Sequence, residues 1–518
     1  MSLRGTEPIW LANEGPSGRG RLSGDHTVDV AIIGGGIAGA TAAYALAQEG
    51  RTVAVLERGT VAGGATGYTT AKASALQQTK LKDVRSKHGD SGVAAYAAAS
   101  RGAIDWIEAR VREHAIECSF ARLPDFTCAV SEQEVGTVEQ VHEAALAAGL
   151  PATLTTDTPL PQEVLQAVRL DGQAQFQPVR YVRGLLDAAE AAGAQVFEQT
   201  AVTGVHEGEP CRVETEDGHT VTAEHVIVCT NYPLLDRGLF FARTEAARSY
   251  LVAARLRNPA DAPDGMAISA GEPTRSVRSY TDDDGTAWVL VGGEGHMVGS
   301  SKAQPERYER LAEYAREHYD VAEVLHRWST QDGMPVDKLP YAGRYTPVSK
   351  RLWVVGGGQK WGMTNATAGA LVCVDAIRGR ANPAASLLDP NRVTLKAAPE
   401  LAKAQLWVGA RFVGDRLKPT LASSPDEIPP GEARVLRDGL TGKVGVYKDE
   451  RGGLHGVSLR CTHLGCLVAY NDAERSWDCP CHGSRFDVDG NVLAGPATKP
   501  LEPRAVPGAP DPAPADEA

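Results

Sequence analysis

The stretch Val28-Asp29-Val30-Ala31-Ile32-Ile33-Gly34-Gly35-Gly36-Ile37-Ala38-Gly39 decides how most of this chain folds. Val28 to Ile33 is apolar apart from Asp29, as suits a strand buried on both faces of a parallel sheet. Gly34, Gly36 and Gly39 then spell G-x-G-x-x-G. The first glycine permits a tight turn, the second lets the backbone approach a pyrophosphate, and the third allows close packing of helix on strand. Ala38 to Gln48 is alanine-rich and reads as a helix, with Thr52 to Leu56 as the next strand of a β-α-β unit. The helix start offers free N–H groups and a positive dipole end to phosphates. Glu57 closes the second strand, where an acid can bind ribose hydroxyls. The run from Val30 to Ala47 is apolar enough for a membrane span, but its glycines break it where strand turns to helix, so no span is expected. The motif does not distinguish FAD from NAD.

A length of 518 residues suggests roughly two to four domains. The apolar share of 42% and charged share of 23% are ordinary for a soluble protein. A net charge of -12 without any basic run argues against nucleic acid as a partner. The start lacks a signal-type apolar core and a twin-arginine pair, so a cytoplasmic protein is expected. Cys118, Cys128, Cys211, Cys229 and Cys373 are isolated and read as small buried apolar residues.

No internal repeat is visible. An N-terminal extension over 1–24 precedes an α/β body over 25–383, and a linker follows over 384–430. Ala398 to Leu417 within it reads as a helix whose partial apolar stripe comprises Leu401, Leu406, Val408, Phe412 and Val413. A docked helix is expected, with a membrane-surface helix as the alternative. Ser423 to Pro430, rich in Ser, Pro and acid, marks a boundary. Residues 431–507 read as a small antiparallel β-domain with short strands such as Val444 to Tyr447, and 508–518 as a disordered tail.

That last domain holds Cys461-Thr462-His463-Leu464-Gly465-Cys466 and Cys479-Pro480-Cys481-His482-Gly483-Ser484. Two Cys and two His also suit tetrahedral zinc. The C-x-H and C-x-x-H pairs, each in a loop followed by small residues, resemble the Rieske family. The resemblance implies a [2Fe-2S] cluster with Cys461 and Cys479 on one iron and His463 and His482 on the other. Neutral imidazoles put less negative charge on a cluster than thiolates do, which raises its potential. It also implies a disulfide between Cys466 and Cys481, with free thiols as the alternative. Ser484 matches a hydroxyl that bonds a bridging sulfur, and Gly495-Pro496-Ala497 matches the family's third cluster loop. Phe486 stands where respiratory members carry tyrosine, which implies a lower potential than theirs.

The segment Arg58-Gly59-Thr60-Val61-Ala62-Gly63-Gly64-Ala65-Thr66-Gly67 is similar to the loop after the ribose acid in the glycine/D-amino acid oxidase family. Further resemblances follow in family order: Gln177 to Val196, Thr200 to Val205, Val226 to Asn231, and Leu352 to Gly358 with the helix after it. They imply FAD, an α/β Rossmann-type domain with an interleaved mixed-sheet substrate domain, and an all-β Rieske domain behind them. Carried over, the cofactor-binding residues are Gly34, Gly36, Gly39, Glu57, Arg58, Gly64, Ala65, Thr66, Val202, Gly358, Gly362, Met363 and Thr364. The closing loop reads Gly358-Gln359-Lys360-Trp361-Gly362, unlike the Gly-His-Gly form of amine-oxidising relatives. It resembles the subgroup with an appended Rieske domain. Lys360 is a candidate for a carboxylate contact or the flavin N5 region, a solvated loop lysine being the alternative. Arg278 and Tyr280 are candidates for the flavin's far side, a structural role being the favoured alternative.

Together the two resemblances imply an oxidoreductase taking hydride from an amine or amino-acid-type substrate onto FAD. Electrons would pass singly through the cluster to an external acceptor, as in a dehydrogenase rather than an oxygen-consuming oxidase. A reductase feeding a partner competes, but no second G-x-G-x-x-G with a terminal acid exists for a nicotinamide. A non-catalytic redox sensor or assembly partner is the other alternative. A ring-hydroxylating oxygenase would need a large iron domain after the Rieske motif, and only a short tail follows.

Overall fold

A computed structural model describes residues 7–235, 237–300, 304–417, 424–439 and 442–508, without the side chains of residues 304 and 413–417. The chain divides into two compact units, Met1–Met297 with Glu306–Ala402, and Val298–Pro305 with Lys403–Ala518.

In the first unit the strand His26–Ile33 lies between Val53–Leu56 and Thr220–Asn231, parallel to both. Gln195–Phe197 and Leu352–Gly356 continue the parallel sheet, and Tyr341–Arg344 closes one edge antiparallel. Val30 and Ile32 pack into one apolar core together with Val53 and Val55, whereas Ala31 and Ile33 pack into another with Ala54 and Leu56. That alternation is why the strand reads as a continuous apolar run: both faces are covered. Gly34 turns at φ +108°, and a Cβ on Gly39 would lie 1.9 Å from the Gly34 carbonyl oxygen. The glycine at each place is therefore a steric requirement. The helix Ile37–Ala47 seated there is buried on every side, which explains its lack of a polar face.

The second sheet is mixed, with nine strands. Val321–Pro335, Thr244–Leu256, Ala287–Met297, Arg275–Thr281, Met266–Ser269, Ala121–Ala129, Gln166–Gln175 and Lys72–Ala73 follow one another across it, and Thr153–Thr155 pairs with Gln166–Gln175. The chain crosses repeatedly between the two sheets, so the interleaved architecture implied by sequence is the one observed. The extension before the first strand is not idle. Trp10 is fully buried, and its indole N–H donates to the Thr69 carbonyl at 2.7 Å.

The second unit is built from two small antiparallel sheets. One comprises Ala433–Asp438, Gly442–Lys448 and Leu454–Ser458. The other comprises Ala469–Asn471, Ser476–Asp478, Arg485–Phe486 and Val492–Ala494. Trp477, Phe486, Val457 and Leu459 form its apolar core. The linker helix spans Ala398–Leu417, as its composition predicts. Only part of the stripe docks: Val408 packs on the second unit's core, while Leu401, Leu406 and Phe412 are exposed. The Val413 side chain and the tail over 509–518 lie outside the described residues. Among the described residues, no helix is long and apolar enough to cross a membrane.

Candidate functional site

The fingerprint turn opens onto a cleft of about 1340 Å³, mouth included, within the first unit. Gly36, Ala65, Thr66, Gly358, Gly362 and Met363 of the predicted cofactor set line it. Gly34, Gly39, Glu57, Arg58, Gly64, Val202 and Thr364 do not. Glu57 instead accepts the Gly35 N–H at 2.7 Å and the Gly59 N–H at 2.9 Å. Burial raises its pKa, and those two bonds with the Arg58 charge oppose the rise. Its carboxylate still has acceptor capacity for hydroxyls. Val202 sits in a buried strand core.

Two helix N-termini reach the cleft, those of Ile37–Ala47 and Gly362–Ile377. A Cβ on Gly362 would meet no protein atom within 4 Å, so the helix start there faces open space. An elongated dinucleotide with anionic centres fits between two positive helix ends.

The closing loop is strained and heavily braced. Gln359 and Lys360 are consecutive residues at φ +55° and +68°, and Gln77 and Gln78 repeat this at +55° and +57°. Non-glycine residues persist there only when their surroundings hold them. Asn365 Nδ2 donates to the Gly358 carbonyl at 3.1 Å, and the buried Lys80 ammonium donates to the Gln359 side-chain carbonyl. Gln77 Nε2 donates to Thr364 Oγ1 at 3.1 Å, while its own carbonyl accepts the Tyr96 hydroxyl at 2.7 Å. Burial, with the nearby Lys338 and Lys360 charges, pushes Lys80 down to about 7 against the pull of Asp83 and Asp337.

Four charged side chains line the cleft: Lys72, Glu272, Asp332 and Lys360. Lys72 donates to the Ala267 carbonyl at 2.8 Å, and burial pushes it down to about 8 with Asp125 opposing. Tyr250, also in the wall, bonds His296 Nε2 at 3.1 Å, and His296 Nδ1 lies 2.8 Å from the Met297 carbonyl. A carbonyl only accepts, so Nδ1 carries the proton and Nε2 accepts from the tyrosine hydroxyl. Burial pushes this imidazole down to about 4, keeping it neutral.

Neither Arg278 nor Tyr280 lines the cleft, in keeping with the structural alternative weighed for them. Arg278 is fully buried and donates to the carbonyls of Thr70, Ala71 and Phe176 at 2.8, 3.0 and 3.3 Å. Its guanidinium lies over the Trp10 ring, against which Tyr280 packs edge-on at 4.9 Å. These three residues brace the backbone behind Thr69 and Thr70, which do line the cleft. Composition and spacing carry no signal for that task, nor for Gln77, Lys80, Tyr96 or Asp332.

In the second unit two loops form a matched pair. The Gly465 N–H donates to the Cys461 carbonyl at 2.9 Å, and the Gly483 N–H to the Cys479 carbonyl at 3.0 Å. Both glycines turn at positive φ, +75° and +79°. Cys461 and Cys479 share a thiol hydrogen bond, which favours a thiolate on Cys461 and keeps the proton on Cys479. The His463 and His482 rings stand 5.0 Å apart, nearly perpendicular. Cys466 and Cys481 are joined as a disulfide between the loops. Ser484 Oγ accepts the Ala497 N–H at 3.0 Å, tying in the segment after Pro496. Two neighbouring thiols and two neighbouring imidazoles make up the donor set a mixed-ligand two-iron cluster needs.

A family model described as FAD dependent oxidoreductase (DAO) matches residues 29–376, and one described as Rieske [2Fe-2S] domain matches residues 419–506. The chain is 35% identical over 488 residues to the Rieske 2Fe-2S iron-sulfur protein YhfW of Bacillus subtilis (strain 168), covering 93% of this chain and 94% of that one. Its C-terminal part is 38% identical over 84 residues to the cytochrome b6-f complex iron-sulfur subunit of Chlorobaculum thiosulfatiphilum, 15% of this chain and 46% of that relative. The glycine oxidase structure from Geobacillus kaustophilus superposes with a TM-score of 0.60 at 19% identity, over 71% of this chain and 99% of that one. At that identity the likeness is one of fold.

Proposed function

This chain belongs to the FAD-dependent oxidoreductase (DAO) family and carries a C-terminal Rieske [2Fe-2S] domain, and from that premise we propose that it oxidises a small amine or amino acid. Bound FAD supplies a hydride acceptor, and the [2Fe-2S] centre supplies a one-electron outlet towards an external acceptor. One observation carries this: the cleft that receives both helix N-termini also receives Lys72, Asp332 and Lys360, charged groups suited to a polar ionic substrate.

The chain's own residues divide the work. The start of Ile37–Ala47 would hold the pyrophosphate, and Glu57, outside the cleft lining, would offer its remaining acceptor capacity to the ribose. The start of Gly362–Ile377 would stabilise negative charge on the bound flavin's pyrimidine edge. The Lys80–Gln359 and Asn365–Gly358 bonds fix the loop that carries Lys360 to the wall. Tyr250, its proton directed at a neutral His296, presents its oxygen as an acceptor in a defined orientation. In the Rieske unit Cys461 and Cys479 would hold one iron and His463 and His482 the other. We place the protein in the cytoplasm, a reading supported by the five buried free thiols outside the cluster loops.

Anaerobic mixing of the purified protein with amines, amino acids and hydroxy acids tests the proposal. Amines or amino acids are expected to bleach the flavin and to elicit the reduced-cluster paramagnetic signal. Bleaching by NADH or NADPH alone would move the protein to the reductase class. An intact cluster beside a flavin that no substrate bleaches would make it a sensor.

A further inference from the structure

Asp332 is the cleft's unusual group. It lies on the strand Val321–Pro335, lines the cleft and is only 8% exposed. Its carboxylate has the Lys360 backbone N–H as a hydrogen-bond donor, and no ion pair joins it to a cation among the described residues. The Lys360 ammonium favours its ionised form from beyond ion-pair distance, too weakly to cancel the burial that raises its pKa. A buried carboxylate without a paired cation is costly unless a ligand brings one.

Of the neighbouring charges, Lys72 is otherwise engaged. It donates to the Ala267 carbonyl and faces the buried Asp125. Of the other acids in the first unit with comparable burial, Asp337 and Glu294 have cations at hand, whereas Asp125 and Glu198, which do not line the cleft, form no ion pair among the described residues. Asp337 holds Arg392 at 2.6 Å, and Glu294 holds Arg275 at 2.9 Å and Arg310 at 2.7 Å. Asp332 differs from both in having open cleft where their arginines stand.

We propose that Asp332 is the counter-ion for the substrate's ammonium group, so that the cleft selects a protonated amine over the uncharged hydroxyl analogue of the same shape. This rests on the cleft being the substrate site of an amine oxidoreductase, and it narrows that site's substrates to cationic nitrogen compounds. Hydroxy acids are thereby disfavoured. The contact is a positioning one: it sets the nitrogen at a fixed place on the wall, beside the loop that carries Lys360.

The test uses the full-length holoprotein and a matched pair of probes, benzylamine and benzyl alcohol, titrated against the flavin's visible spectrum. The parent protein is expected to bind the amine at least about tenfold more tightly than the alcohol, as a charge-assisted contact to a buried group requires. Asp332→Asn should bring that ratio near one without changing alcohol binding, and Asp332→Glu should retain part of the preference. Because Asp332 has no ion pair to lose, Asp332→Asn should keep its flavin content and melting temperature. A parent ratio near one, or a ratio unmoved in Asp332→Asn, would overturn the assignment even if amines bleach the flavin. A ratio that collapses in Asp332→Asn while no amine bleaches the flavin would uphold Asp332 as counter-ion and refute amine oxidation.

Discussion

The cluster cradle and the substrate cleft are built in opposite ways. The cradle is two short loops, each closed on itself by a cysteine carbonyl and a glycine N–H four positions on. Its ligands are neighbours in sequence before they are neighbours in space. The cleft draws its wall from segments scattered between Gly36 and Ala366, and its closing loop is braced from Lys80, Gln77 and Asn365. A site whose geometry is local announces itself in spacing. A site assembled across two sheets shows in sequence only the turns where the backbone itself must be special.

If the two sites are independent in this way, each can be removed without the other. Cys461→Ser is expected to abolish the cluster outright, with iron content and the reduced paramagnetic signal lost and the flavin spectrum kept. Gly39→Ala is the reciprocal change. Its Cβ would lie 1.9 Å from the Gly34 carbonyl oxygen, an overpacking expected to cost about 3 kcal/mol and to strip the flavin while iron content holds. Loss of both cofactors in either variant would show that the two sites depend on each other.

Long-range bracing gives a further expectation. Arg392 grips Asp337 with two nitrogens, at 2.6 and 2.9 Å, just past the strand that carries Asp332. Burial raises the Asp337 pKa, but the Arg392 charge and hydrogen bonds outweigh it, and the net shift is downward. The unfolded carboxyl titrates near about 3.9. The stabilisation is therefore complete above that value and is lost as pH falls through the lower folded one. Asp337→Asn should destabilise the first unit by about 3 kcal/mol at neutral pH. Melting curves across acidic pH should show less acid sensitivity in the variant than in the parent. A variant with the parent's acid profile would assign that sensitivity to other groups.

The smallest expected effect lies in the cradle. Phe486 is fully buried in the same core as Cys461 and Cys479. Phe486→Tyr should raise the cluster's midpoint potential in a redox titration by adding a hydroxyl donor, with little change in iron content. An unchanged potential would mean that this side chain does not reach the cluster's sulfurs.

Val30 to Gly39 was legible from residue types and Cys461 to Ser484 from its resemblance to a known motif, because each needs particular atoms at particular backbone steps. A positive φ or a steric contact leaves room only for glycine, and a soft metal needs thiolate and imidazole. The linker helix was also legible in its bounds, since propensity and flanking prolines act locally. Its docking was not: Leu406 and Phe412 are as apolar as Val408 yet stay exposed.

Arg278 shows the same limit from the other side. From its residue type a ligand contact and a structural role both stayed open, and its burial among three carbonyls makes it a brace. Asp332 went unremarked because an aspartate in a strand carries no signal of its own. Local backbone demands and ligand chemistry are written in the order of the residues. Which charged groups face a cavity, and which of them have a partner, follows from how distant strands pack, because the energy of a buried charge depends on neighbours far away along the chain.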